Sequence, residues 1–400
     1  MAARVDFPVF DADNHYYEAE DAYIRHVPRQ LRKRCMQWAT IDGKKRLLVA
    51  GAVNRFIPNP TWDPIARPGS LAAYFRAKNE SGVDVKTMFG TLDPLADHPE
   101  YQDRDARLAV MDTQGVEAAF FFPTLGVGMQ QALGHDIEAL MAAFHGFNQW
   151  LLDDWGFDYR GRIFAAPMIA LADVETAAKE VDWCIEHGAR LVCMVPGPVP
   201  LAQGGSISPG WPLFDPVWER LDAAGITVGI HGGDSGMNAY VSRWEPTGDF
   251  EAFRTTAFKM VSTHLKTIFD TMAALICHGV FDRHPNLRVA TIENGGMYVP
   301  HLLDELSLAY RKAPQDFGRD PVEAFREHVW VSPFYEDQLG RLRELLGADH
   351  LLMGSDYPHA EGLADPVSYM KDLRNFDFPD EDCELVMRDN GLSLSRRRAA

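Results

Sequence analysis

Short apolar runs alternate with longer amphipathic stretches along most of the chain. Eight runs have the length and bounding residues of strands: Pro8 to Asp13, Glu117 to Pro123, Ile163 to Met168, Leu191 to Val195, Ile226 to His231, Val289 to Glu293, Val329 to Ser332 and Leu351 to Asp356. Between them, Asp136 to Trp155, Asp173 to His187, Leu213 to Ala224, Phe253 to His284, Tyr298 to Lys312 and Asp337 to Gly347 carry apolar residues at three-to-four spacing and predict helices. Strand and helix in strict alternation require a parallel sheet with crossover helices. Eight right-handed crossovers close an α/β barrel, a (β/α)8 TIM barrel.

Two segments stand outside this scheme. Residues 16–99 follow the first strand, are rich in Pro, Arg, Gly and Asn, and are too long for an idle connection, which predicts a capping insertion over the barrel mouth. Residues 379–400 read as a short helix and a frayed, solvated tail ending in Arg396-Arg397-Arg398. The whole, residues 1–400, is expected to be a single barrel domain.

Composition narrows the function classes. With 46% hydrophobic and 24% charged residues the chain can build a large core, and a formal net charge of −18 opposes binding to nucleic acid or to an anionic membrane. The five cysteines lack C-x-x-C spacing, so neither a zinc ribbon nor a disulfide framework is indicated. With no secretory signal pattern and no apolar run long enough to span a bilayer, a cytoplasmic location is expected. Gly204-Gly205-Ser206 lacks the lysine of a phosphate loop, and no G-x-S-x-G elbow accompanies a serine triad.

Barrel chemistry sits at the carboxyl ends of the strands, and ligand-type side chains recur there: Asp11, Asp13 and His15 on the first, His231 and Asp234 on the fifth, Glu293 and Asn294 on the sixth, Asp356 on the eighth. Strand residues two apart share a face, so Asp13 and His15 point together while Asn14 turns aside. A lone strand-end histidine is more often a hydrogen-bonded core residue. Carboxylates and imidazoles converging from four strands suit zinc, manganese or iron instead, since burying the carboxylates without a cation is costly. Trp62, Tyr74 and Phe75 of the long loop either line an apolar pocket or pack within it.

Asp13-Asn14-His15, Ile230-His231-Gly232-Gly233, the run from Gly279 to Val289, Glu293-Asn294-Gly295-Gly296 and Gly354-Ser355-Asp356-Tyr357-Pro358-His359 together resemble the amidohydrolase superfamily. The resemblance is to its amidohydrolase-2 branch, which holds aminocarboxymuconate-semialdehyde decarboxylase and the resorcylate decarboxylases, and runs from Phe10 to about Leu373. It implies metal ligation by Asp13, His15 and His231, with Asp356 binding metal or handling the proton of its water. Strand six departs from the pattern. Where relatives carry a catalytic histidine, counting from Leu287 places Glu293 and counting back from Pro300 places Asn294.

Three carboxylates, Asp13, Glu293 and Asp356, overmatch one divalent ion and suit two, and a glutamate can bridge two metals. His278, just before Gly279, and His359 each either complete a second metal position or serve the structure. This carboxylate-rich variant is similar to the barrel-fold nonheme di-iron monooxygenases of platensimycin and platencin biosynthesis. That resemblance implies two iron ions held by Asp13, His15, His231, His278, Glu293, Asp356 and His359, with Glu293, Asp356 and His278 at the chemistry. The favoured expectation is hydroxylation of a bulky hydrophobic acid, free or as a coenzyme A thioester, by an enzyme that forms homodimers. The first alternative is a hydrolase or nonoxidative decarboxylase with one zinc or manganese ion and Glu293 as acid or base. The second is a catalytically silent binding protein.

Overall fold

In the computed structural model the described residues are 5–54, 56, 63–76, 85–246, 256–263, 265–335 and 338–398. Seven strands form the barrel wall in chain order: β1 (Val9–Tyr16), β2 (Val116–Pro123), β3 (Ile163–Ala165), β4 (Leu191–Met194), β5 (Thr227–His231), β6 (Arg288–Ile292) and β7 (Val329–Val331). They pair in parallel as two ladders, β1-β2-β3 and β4-β5-β6-β7. A parallel bridge between Met168 and Cys193 joins β3 to β4. The last staves come from 351–357, where Val331 bridges Leu351, Leu352 N–H donates to Val331 O, and Asn14 bridges Tyr357. The ring is therefore closed. An eighth strand was expected over Leu351 to Asp356. The segment fills that position through isolated bridges rather than a continuous ladder, with Asp356 at a φ of 56° between them.

Helices cover the outside as the sequence pattern requires. α1 (Arg104–Gln114), α2 (Ile137–Asp154) and α3 (Val174–Glu186) begin at Asp103, Asp136 and Asp173, each of whose carboxylates accepts a backbone N–H of the first turn. α4 (Asp215–Ala224) ends at Gly225 in the left-handed region. The long helix expected over Phe253 to His284 is broken, with Ala257–Thr263, α5 (Lys266–Cys277) and Val280–Arg283 as separate helices. Gly279, at φ 69°, turns the chain between the last two, which hydrophobic periodicity cannot register. α6 (Tyr298–Lys312) and α7 (Leu339–Leu346) complete the coat.

The segment after β1 carries its own small antiparallel sheet, Met36–Ile41, Lys44–Val49 and Ala52–Val53, and a second pairing of Ile65–Ala66 with Leu92–Asp93. It lies against the last loop of the barrel: Leu71 N–H donates to Ala360 O at 2.9 Å, and Arg76 forks onto Asp372 at 3.0 and 2.8 Å. Phe75 packs on Phe334 and Tyr335, while Trp62 lies outside the described residues.

The tail differs from the frayed end that the sequence suggests. Residues 380–394 are helical throughout and close the amino-terminal end of the barrel. Gly391 lies so close to the Phe10 ring that a Cβ there would be 2.2 Å from it. Thr227 Oγ1 donates to Leu394 O at 2.8 Å, and Asn390 Nδ2 donates to Ala348 O and Leu351 O. Strand amino ends expose a packed aromatic floor, Phe10 on Phe120 and Phe164, and the tail is what covers it.

Candidate metal centre

The end of β1 is shaped by a bulge. Asp11 sits opposite Ala119 and Asn14 opposite Phe121, so three residues of β1 advance against two of β2. Simple alternation would turn Asp11, Asp13 and His15 to one face. The bulge instead turns Asp11 into a clamp: its carboxylate accepts from Asp13 N–H (3.1 Å), Asn14 Nδ2 (2.8 Å), Ser355 N–H (2.9 Å) and the Ser355 hydroxyl. Fully buried Arg107 of α1 locks the other side, donating to Asn14 Oδ1 at 2.6 Å, His15 O at 2.8 Å and Glu100 O at 2.7 Å. Asp13 and His15 are left facing the mouth.

There they meet the ends of β5, β6 and the 351–357 segment. His15 Nε2 is 3.3 Å from Asp13 Oδ1, 3.2 Å from Asp356 Oδ1 and 3.9 Å from Glu293 Oε2. His231 Nε2 is 3.4 Å from both Asp13 Oδ1 and Glu293 Oε2. Asp13, His15, His231 and Glu293 each present a ligand atom within 4.8 Å of the others, as do His15, Asp356 and His359, and as do Glu293, Asp356 and Glu361. Asp13, His15, His231 and Asp356 are buried, whereas Glu293, 26% exposed, is open to the mouth. Glu293 and Asp356 both hold φ in the left-handed region, at 53° and 56°, which is rare away from glycine and is retained where the surroundings over-determine it.

The donor chemistry fits a cation. His231 Nδ1 lies 2.8 Å from Gly232 O, which can only accept, so Nδ1 carries the hydrogen and Nε2, the atom a metal ligand would use, faces two carboxylates. With Nε2 unprotonated, lone pairs face lone pairs and call for a positive ion between them. Both ring nitrogens of His15 and Oδ2 of Asp356 are buried without a hydrogen bond. Burial and the neighbouring charges of Asp356 and Asp13 push Glu293 well above the usual carboxylate range, and burial pushes Asp356 up to about 7. Burial also raises Asp13, but the imidazoles of His15 and His231 beside it outweigh that and hold this carboxylate low. Burial disfavours charge on His15, yet the carboxylates of Asp13 and Asp356 beside it raise it well above its ordinary value. A divalent ion among these groups would relieve the crowding of negative charge.

His359 has a different role from simple ligation. Its Nε2 is 2.9 Å from Thr124 Oγ1, whose own hydrogen is donated to Tyr16 O at 2.7 Å, so Nε2 must donate. A neutral His359 then points the Nδ1 lone pair at Asp356 Oδ1, 2.7 Å away. One proton must lie between them. Burial, together with the charge of His15, drives His359 down to about 3, so the proton rests on the Asp356 carboxyl.

His278 is not brought to this centre. It caps α5, with Nδ1 at 2.7 Å from Ser208 Oγ and its ring edge-on to Trp211. The register of β6 places Glu293 in the centre and turns Asn294 back onto the wall, where its Nδ2 donates to Ile230 O and Ile292 O. Glu361 was missed by sequence reasoning. It follows Asp356 by five residues in the last loop, and burial, then repulsion from Asp356, raises it to about 7. Thr124, one residue beyond β2, gave no signal beyond its position at a strand end.

In comparison with known proteins, the chain matches the Amidohydrolase family over residues 10–394. It belongs to that family. A crystal structure of an amidohydrolase from Mycobacterium avium subsp. paratuberculosis K-10 is 44% identical, with 99% of each chain covered and a TM-score of 0.93. More distant folds include a 2,6-dihydroxybenzoate decarboxylase from Rhizobium, 17% identical over 86% of this chain and 96% of that one (TM-score 0.58). A manganese-bound 5-carboxyvanillate decarboxylase from Novosphingobium aromaticivorans DSM 12444 is 16% identical over 98% and 96% (TM-score 0.58). Among the described residues no helix is long and apolar enough to cross a membrane.

Proposed function

We propose that this amidohydrolase-family chain is a metal-dependent, oxygen-independent decarboxylase of a small hydrophobic carboxylic acid, using one divalent ion held by Asp13, His15, His231 and Glu293. The observation that carries this reading is the 2.7 Å contact of Asp356 Oδ1 with His359 Nδ1 beside those four residues. Nonoxidative decarboxylation needs an acid poised to protonate carbon, and a buried carboxyl held at 2.7 Å by His359 beside the ligand cluster is placed to be such an acid. A bound manganese or zinc ion would act as a Lewis acid toward the substrate's oxygens. The chain supplies the rest: Glu293 closes the mouth side of the site, and Asp356 donates its proton to the carbon as the bond to the departing CO2 breaks and leaves its electron pair behind. His359 holds that carboxyl in place through Thr124. The insertion rests on the loop that carries His359 and would cap the site, keeping bulk water from competing for the proton.

This shifts the balance away from the di-iron oxygenase expectation. His278, needed there as a ligand, lies with Ser208, and His359 has both nitrogens engaged. The decarboxylases among the fold relatives support the same direction.

The test is anaerobic turnover of manganese- or zinc-loaded protein against a panel of hydroxylated benzoic acids and other small apolar acids, with CO2 collected. Release that requires the metal and not oxygen is the expected result. Oxygen uptake coupled to substrate hydroxylation, with no CO2, would overturn it.

A further inference from the structure

At the opposite end of the barrel from the metal centre, a cavity of about 380 Å³ is lined by Arg288, Arg388, Arg396, Arg397 and Arg398, with Asp389 the one carboxylate facing it among the described residues. In a chain of net charge −18 this concentration of guanidinium groups is the reverse of the average surface. It is also built rather than merely exposed. Arg288, at the start of β6, is 3% exposed and anchors the tail by donating to Ser393 O, Arg396 O and Gly225 O. Its Nε is buried and makes no hydrogen bond. Burial, followed by the nearby charge of Arg398, pulls this guanidinium down to about 10, a measure of how poorly its charge is balanced.

Two of the five arginines are already satisfied. Arg388 is bound to Glu117 and Asp389, and Arg397 donates to Ile185 O and Ala189 O. Among the described residues, the guanidiniums of Arg396 and Arg398 make no hydrogen bond or ion pair. Cations gathered this way with spare donors match the oxygens of a tetrahedral dianion, which arginine recognises through paired N–H groups. The volume is at the small end for ligand sites.

We propose that this cavity binds a phosphate group, as inorganic phosphate or as the terminal phosphate of a small metabolite, and thereby fixes the tail against the barrel floor. The five residues of β6 separate Arg288 from the metal-centre end by about 15 Å at the rise of a strand, through a packed core, so the ligand is not the reacting acid. It would tie the tail, the end of α4 and β6 together from the side remote from the chemistry.

Calorimetric titration of inorganic phosphate into the full-length, metal-loaded protein at low chloride tests this, beside an Arg396→Gln/Arg398→Gln double variant. Both positions are exposed, so the variant keeps the fold. Saturable binding of one phosphate per chain, weakened about tenfold or more in the variant, is the expected result. Pyrophosphate and a sugar phosphate form further arms: tighter binding of either identifies a metabolite as the source, and tighter binding of phosphate identifies the free ion. Absence of saturable binding, or equal affinity in both proteins, overturns the proposal, the second outcome assigning phosphate to the metal centre instead. Neither result bears on CO2 release, so the two proposals fail separately.

Discussion

Asp356 Oδ1 and His359 Nδ1 are 2.7 Å apart and hold one proton between them, because the other nitrogen of His359 is committed to donating to Thr124. The pair joins the floor of the metal cluster to the loop beneath the insertion. Its protonation is set by two hydrogen bonds rather than by either residue alone.

Removing the acid should therefore cost far more than loosening its support. Asp356→Asn is expected to lower kcat by about 10²–10⁴-fold, the usual contribution of a positioned acid. Thr124→Val frees the ring of His359 to flip and should lower kcat by roughly tenfold or less while leaving bound metal unchanged. Steady-state kinetics with metal analysis on each variant separates the two. A Thr124→Val enzyme that loses its metal would place His359 among the ligands.

Gly354 allows the 351–357 segment to approach β1. A Cβ there would lie 2.6 Å from both Asp13 Cβ and Ser332 Oγ, and Asp13 Cβ, one bond from its backbone, moves only if β1 moves with it. Gly354→Ala should destabilise the fold by about 1–3 kcal/mol and weaken metal binding together. Denaturant unfolding and metal titration check both. Loss of stability with unaltered metal affinity would show that Asp13 is positioned from elsewhere.

Arg107 supports the bulge that aims Asp13 and His15. Lysine keeps the charge but cannot reach Asn14, His15 and Glu100 at once, so Arg107→Lys leaves buried acceptors unpaired and should cost about 1–3 kcal/mol. The expected signature is a lower unfolding midpoint with reduced metal content. A variant as stable as the parent would remove Arg107 from this role.

Far from the metal, His145 Nδ1 contacts Glu180 Oε2 at 2.7 Å, and this bond raises the histidine above its ordinary value of 6.5. A raised histidine contributes stability that is complete below its unfolded value and is lost as pH rises through the folded one. The half-exposed pair is worth less than about 1 kcal/mol. The stability gap between the parent and His145→Gln should therefore be widest at acidic pH and close as the medium becomes alkaline, as read from urea midpoints. A gap that widens with pH would reverse the assignment.

Much of the barrel was legible in the sequence because a parallel strand buried on both faces leaves a largely apolar run, and β2 to β7 fall on such runs while β1 shows one only at Val9-Phe10. The strand ends likewise displayed Asp13, His15, His231, Glu293 and Asp356. What escaped were features set by tertiary contact. No local pattern announces the bulge at Asp11, the break at Gly279, or the packing of 380–394 onto Phe10, since each depends on a partner distant in the chain. His278 illustrates the opposite error. Its place beside a glycine in a family-like run suggested ligation, whereas the turn at Gly279 leaves it at the end of α5 with Ser208. Glu361 was passed over because a glutamate in a loop gives no periodic signal.

The most direct test of the metal centre is anomalous X-ray scattering from crystals of the manganese-loaded protein, recorded at the manganese edge. One peak per chain within about 2.0–2.3 Å of side-chain atoms of Asp13, His15, His231 and Glu293 is the expected result. Two peaks bridged by Glu293, or a peak remote from these residues, would contradict a single-ion centre at the mouth of this barrel.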